Sequence, residues 1–352
     1  MCESLRRTLK SIGKPTEVFQ FPDGTTLLVL PHGGRILGLF APRAEENFYW
    51  THPALASAES ARAFYESDEW HNSGGDRTWL APEVDVFFPH FPDLNKYRQP
   101  RTLDPGKYQV VRTSHSLQLA NRLTITLSRS QQEVDLQIAK SVTPAPNPLR
   151  HERRMKGLEK VEYAGYTLHT TLEIPGTGME SAPRVGLWNL VQMPHGGELW
   201  VPTYVRAIPR VYFGTIGAED LIVDDHLVRY MMRALGIHKI GIRAVETTGR
   251  AGYLYSTGDK FALIIRSFSV NPSGEYVDVP FDEPEDLGYS TQACNVNSAL
   301  GCFSELEYHV PAIGGNTGRK CCEDISQVWA FRGSRQDIRT VANSLLSPTA
   351  CL

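Results

Sequence analysis

Cysteine is scarce: six residues in 352 are too few for a disulfide-stapled scaffold, and none falls in the CxxC spacing that holds zinc or runs thiol redox chemistry. The adjacent Cys321 and Cys322 read as buried or incidental thiols in a Gly-rich loop, and a reducing, cytoplasmic setting is expected. Long apolar runs are missing too. Nowhere does the chain offer the ~18 consecutive apolar residues of a spanning helix, and no apolar run precedes Pro15, so neither a membrane span nor an export signal is expected. Neither charge sign is in excess: 36 Lys+Arg against 39 Asp+Glu leave a net charge of −3. That balance gives no electrostatic footprint for nucleic acid or an anionic membrane, and it suits a neutral ligand better than a polyanionic one. The GxGxxG, GxxxxGK[ST], GxSxG and HExxH patterns are absent, so dinucleotide, P-loop, hydrolase-elbow and zincin readings lose support. What remains is an ordinary globular composition, 41% hydrophobic and 21% charged, able to bury a sizeable core.

Period-2 alternation dominates what is present. In 123–128 the apolar residues fall on odd positions and in 134–138 on even ones, so each segment has one apolar and one polar face. Strands are likewise expected at 25–30, 35–40, 47–50, 108–112, 166–174, 239–245, 251–255, 260–268, 276–279, 300–308 and 327–331. Turn chemistry punctuates them at 21–24, 31–34, 256–259 and 271–274. Helices are few: 56–65, 225–235 with Asp224 as N-cap and Gly236 as stop, and 335–346. Many strands and three short helices predict an all-β protein of large antiparallel sheets. One domain is expected over 1–352, with the first ~15 residues and the 335–346 helix peripheral; the Pro- and Arg-rich 144–154 stretch reads as a loop between two sheets.

Three segments carry candidate chemistry. If 301–311 is a strand, Glu305, Glu307 and His309 share one face at about 6–7 Å per step, and two carboxyl groups that close push one pKa upward. The competing reading is the polar side of a half-buried strand. The block 69–83 packs His71, Asp76, Arg77, Trp79 and a Gly74-Gly75 turn together, a mixture that suits a sugar: rings cover its apolar face and polar side chains bracket its hydroxyls. The same mixture also fits a turn with an aromatic core plug. The segment 186–202 supplies Trp188, Asn189, Gln192 and His195, which could line the same cleft, although Trp188 also reads as core and His195 as a turn residue. His32, His52, His90, His169 and His238 read as structural. No spacing demands a metal or cofactor, although His71, Glu305 or His309 could take a divalent ion.

The order of these motifs resembles the galactose mutarotase-like superfamily, which includes the aldose 1-epimerases, and more narrowly a bacterial branch of it. Gly33–Ile36 leading to Asn47, the Gly74–Trp79 block, the 188–197 segment, Lys239–Ile242 and the late strand 305–309 carry the resemblance, which spans roughly 16–333. It implies a β-supersandwich whose concave face binds a sugar, with a late glutamate as base and a histidine as acid. Glu307, or else Glu305, would be the base, and His195 or His71 the acid. Arg77 and Asp76 would fix hydroxyls, and Trp79 or Trp188 would stack on the ring, with Asn189, Gln192 and His309 beside them. A small-molecule sugar is the expected partner; a non-catalytic sugar binder, or a lyase acting on a sugar acid, is the alternative on the same fold.

Overall fold

The computed structural model describes residues 2–114, 116–151, 157–176, 183–283 and 285–346. Among them, nineteen strands form two antiparallel sheets. The nine-stranded sheet contains β1 (Glu17–Gln20), β2 (Thr26–Leu30), β3 (Arg35–Phe40), β4 (Asp76–Ala81), β9 (Gly186–Pro194), β11 (Arg210–Phe213), β14 (Gly236–Arg243), β17 (Tyr289–Ser298) and β18 (Gly301–His309). Its spatial order is β1-β2-β3-β4-β9-β18-β17-β14-β11. The ten-stranded sheet contains β5 (Gln109–Arg112), β6 (Leu117–Thr126), β7 (Glu133–Pro144), β8 (Glu162–Glu173), β10 (Glu198–Pro202), β12 (Leu221–Val223), β13 (Leu227–Met231), β15 (Arg250–Thr257), β16 (Lys260–Phe268) and β19 (Cys321–Gly333). Its order is β12-β13-β10-β15-β16-β19-β8-β7-β6-β5. The all-β, two-sheet architecture expected from the alternation is the one observed.

The inner faces meet in one core, where Val29, Ile36, Val191 and Ile240 of one sheet lie with Leu117, Leu168, Ile264 and Val328 of the other. Outer faces are covered separately. Helix α4 (Arg335–Leu346) lays Ile338 and Val341 on Leu263, Ile265 and Trp329 of the ten-stranded sheet. Helices α1 (Cys2–Ser11) and α2 (Ala58–Glu66) set Leu5, Leu9 and Ala61 against Leu28, Leu30 and Leu37. No helix among the described residues is long and apolar enough to cross a membrane.

Several local expectations give way to tertiary context. Residues 225–235 are not a helix: Val228 and Tyr230 alternate inward, and β13 pairs with both β10 and β12, so ladder bonds on two sides outweigh the Asp224 and Gly236 end signals. Residues 276–279 and 47–50 are buried but lie outside the ladders. In the second case the Asn47 side chain replaces a ladder, accepting from the backbone N–H groups of Leu39 and Tyr49 and donating to Leu37 O. Cys321 and Cys322 open β19 rather than sitting in a loop. The 144–154 stretch, of which 152–154 lie outside the described residues, lies between β7 and β8, neighbours in one sheet rather than strands of two. Helices α1 and α3 (Glu83–Phe87) were not foreseen.

Candidate active-site cavity

Strand β4 begins at a turn only glycine can make. Gly74 and Gly75 have φ of 98° and 76°, and a Cβ on them would stand 2.3 Å from Trp50 O and from Ile36 O respectively. From there the strand alternates. Arg77 and Trp79 face outward, while Asp76 and Thr78 face the other sheet. The registers of β4, β9, β18, β17 and β14 then stack outward side chains in rows across the sheet. One row runs Trp79, Trp188, His309; the next joins Arg77, Leu190 and Glu307; a third runs Gln192, Glu305, Cys294, Lys239 and Phe213; a fourth holds Phe303, Val296 and Ile237.

Helix α3 and the irregular chain after it to 104, with Asp68–Trp70, arch over these rows and border a half-open cavity of about 890 Å³. Asp104 ties this roof to the floor. Its Oδ2 accepts from Arg35 at 2.8 Å, from Trp79 Nε1 at 3.0 Å and from Trp70 Nε1 at 3.3 Å.

Two carboxyl groups share the floor in different surroundings. Glu305 Oε1 accepts from Arg77 Nη2 at 2.8 Å and from Gln192 Nε2 at 2.9 Å. The Arg77 guanidinium lies 4.0 Å from the Trp79 ring centre and keeps Nε and Nη1 without partners. Glu307 Oε2 accepts from Trp188 Nε1 at 2.8 Å and lies 3.4 Å from Lys239 Nζ, while Oε1 has no partner. Burial is the largest influence on Glu307 and disfavours its charge. Lys239 opposes burial, Glu305 and Glu83 reinforce it, and the carboxyl is pushed up from 4.5 to about 8.

The reason is a shortage of cations. Lys239 serves three carboxyl groups, with Glu83 at 2.9 Å and Asp278 at 3.7 Å besides Glu307. Burial works against the ammonium, but the three acids outweigh it and hold Lys239 well above its ordinary value. Asp278 is held below the usual range: its burial is outweighed by Lys239, His309, the Glu83 N–H and Gln292. Burial pushes Glu83 up. One ammonium cannot balance three anions, and the excess appears as a retained proton.

Of the residues singled out in the sequence, Glu305, Glu307, Arg77, Trp79 and Trp188 line the cavity together, and Gln192 reaches it by holding Glu305. His309 sits just behind, stacked 5.5 Å from Trp188; burial keeps its imidazole neutral, down to about 3, with Asp278 partly opposing. Neither proposed acid histidine lies in the cavity lining. His71 packs among His32, Phe64 and Tyr65 and bonds Ser67 O at 3.0 Å, on the far side of the Trp70 bend. His195, at the β9 end, bonds Asn295 Oδ1 at 2.9 Å. Asp76 and Asn189 turn to the inter-sheet face by strand parity, Asp76 to Arg266 and Tyr166, Asn189 to Thr78 at 2.7 Å. The expected direct role of Asp76 and Asn189 in bracketing hydroxyls therefore does not fit their position.

Sequence reasoning missed Lys239, Glu83, Asp278 and Cys294. A lysine between Ile237 and Ile240 on a strand with apolar neighbours signals a buried cation in need of partners. Glu83 opens the five-residue helix α3 and Asp278 sits in aperiodic chain, and neither context carries such a signal.

Cys294 Sγ and one oxygen each of Glu305 and Glu307 lie within 4.8 Å of one another. Burial, then the two carboxyl groups, keep Cys294 as a thiol, and Arg77 and Lys239 already engage the carboxyl groups. A divalent ion would have to displace both cations.

Fold and cavity together define a two-sheet β protein with a half-open, carboxyl-rich pocket on one sheet face. The chain belongs to DUF6786, a family of unknown function whose model matches residues 45–349. It is also similar to three solved structures. A galactose mutarotase related enzyme from Lactobacillus acidophilus is 7% identical, with 91% of this chain and 97% of that chain covered and a TM-score of 0.44. The galactose 1-epimerase of Lactobacillus acidophilus NCFM is 9% identical over 90% and 94%, with a TM-score of 0.37. The protein HI1317 is 10% identical over 90% and 93%, with a TM-score of 0.42. No curated protein matches the chain significantly.

Proposed function

We propose that the cavity is the active site of a carbohydrate-processing, epimerase-like enzyme that moves protons on a sugar without a cofactor. The observation that carries this reading is the Glu305–Glu307 pair: two carboxyl groups within 4.8 Å, one held by Arg77 and Gln192, the other kept protonated to about pH 8. Such a pair offers a proton acceptor in Glu305 and a donor in Glu307. Both rise from one floor, so they approach a substrate from one side. The anomeric hydroxyl and the ring oxygen of a sugar share a carbon, so an acceptor and donor this close can serve both and open the ring without a histidine. The roles differ from the base expected at Glu307 because three acids compete for one lysine. Trp70, the half-buried tryptophan of the lining, supplies flat apolar surface for the ring.

Exchange spectroscopy on a panel of aldoses and uronates tests the reading. The protein should accelerate interconversion of at least one member, and Glu307→Gln and Glu305→Gln should each lower that rate by about 10²-fold or more while leaving the fold intact. Line broadening without exchange would identify a binder, and unchanged rates in both variants would remove the assignment.

A further inference from the structure

The cavity floor is not uniform. One step along the strands from Glu305, Cys294 and Lys239, the row Phe303, Val296 and Ile237 carries no polar side-chain atom. Trp50 backs it, 4.7 Å from the Phe303 ring. The adjoining side wall is aromatic, with Phe281 lying 5.3 Å from Phe88 and 5.9 Å from Phe213. At the mouth above, Leu94 and Leu300 are each 43% exposed although both line the cavity. A bare monosaccharide, whose every carbon carries a hydroxyl or the ring oxygen, has no use for such a surface. The volume of about 890 Å³ also stands near the top of the ~300–1,000 Å³ range of small-molecule sites.

We infer that the ligand is amphipathic: a sugar bearing an aryl or alkyl substituent on a carbon other than the reacting one. Its ring lies over Glu305, Glu307 and Trp188, and its substituent lies over Phe303, Val296 and Ile237 under Leu300. The inference rests on the sugar reading of the polar end. The strand registers give its dimension, since the two ends are one pleat repeat apart, about 6–7 Å, the distance from a sugar ring to a group attached through one ether oxygen.

Calorimetric titration of the full chain with paired methyl and benzyl ethers of one aldose, substituted in turn at each hydroxyl except the anomeric one, tests this, with benzyl alcohol as control. For one position the benzyl ether should bind about tenfold to a hundredfold more tightly than its methyl partner, the gain expected for burying a phenyl ring. Leu300→Ser, at a half-exposed position that threatens folding little, and Val296→Thr, close to isosteric, should each shrink that ratio. Equal affinities for every pair, with the methyl ethers still binding, overturn the amphipathic ligand and leave the sugar site standing. Benzyl alcohol binding as tightly as the benzyl ethers overturns the sugar reading as well, and so does no binding by any compound.

Discussion

At the scale of single residues the unusual group is Glu307, whose environment is set by neighbours on six segments. Trp188 donates to it, Lys239 faces it from β14, Glu305 shares its strand, Cys294 is adjacent on β17, and Glu83 and Asp278 compete for the same ammonium. A carboxyl raised from 4.5 to about 8 in the folded chain stays protonated while the unfolded chain has lost its proton. Its stabilising contribution is complete below about pH 4.5 and is lost as pH rises through about 8, because the folded state binds more protons across that window. Urea denaturation at pH 5 and pH 8.5 should show wild-type losing more stability over this interval than Glu307→Gln; parallel losses would mean that Glu307 is not the proton holder. If Glu307 is the proton donor proposed above, turnover measured by exchange spectroscopy should fall above about pH 8, where the carboxyl ionises.

At the scale of elements, β4 decides which of its residues can act. One peptide of slip would exchange Arg77 and Trp79 for Asp76 and Thr78, and the Gly74-Gly75 turn sets that register. Gly75→Ala puts a methyl group 2.3 Å from Ile36 O at positive φ. It should cost about 1–3 kcal/mol in urea denaturation and weaken ligand binding at Arg77; wild-type stability would refute the register argument. Most of the sheet was legible before the structure, because half-buried strands such as β6 and β7 leave a two-residue period in the sequence. The late strand was legible for the same reason, which put Glu305 and Glu307 on one face in advance. Residues 225–235 were not legible as a strand: the neighbouring partner β12 is a three-residue strand too short to show a period, and the longer partner β10 lies well upstream at Glu198–Pro202. The roof beyond α3, at 88–104, and the Asp278 segment have no period at all, so their contribution to the site could not be read from a pattern. Parity along a strand also explains the misplaced residues, because Asp76 and Asn189 adjoin site residues in sequence and for that reason point away from the site.

At the scale of the whole molecule, the sheets are joined by polar contacts as well as by apolar packing. Asp76 of β4 meets Arg266 of β16 and Tyr166 of β8, and Tyr166 in turn meets Tyr49 at 2.7 Å. Arg266 and Asp76 are almost wholly buried, so neither charge can turn to water. Asp76→Ala strands the guanidinium and should cost about 3–5 kcal/mol, while the double change Asp76→Leu with Arg266→Met should recover most of that loss. If the single and double variants melt alike, the pair is not an inter-sheet tie. The cavity itself divides between two kinds of chain. Its floor is five neighbouring strands locked by register into the core, whereas much of its roof is one irregular stretch anchored through Asp104. A mutation in the floor disturbs the site and the fold together, as does one at the buried roof residues Phe87, Leu103 and Asp104, whereas the exposed roof residues His90, Leu94 and Lys96 can change at little structural risk. Across DUF6786, divergence in what the cavity admits should therefore be written mainly in the counterparts of residues 89–98.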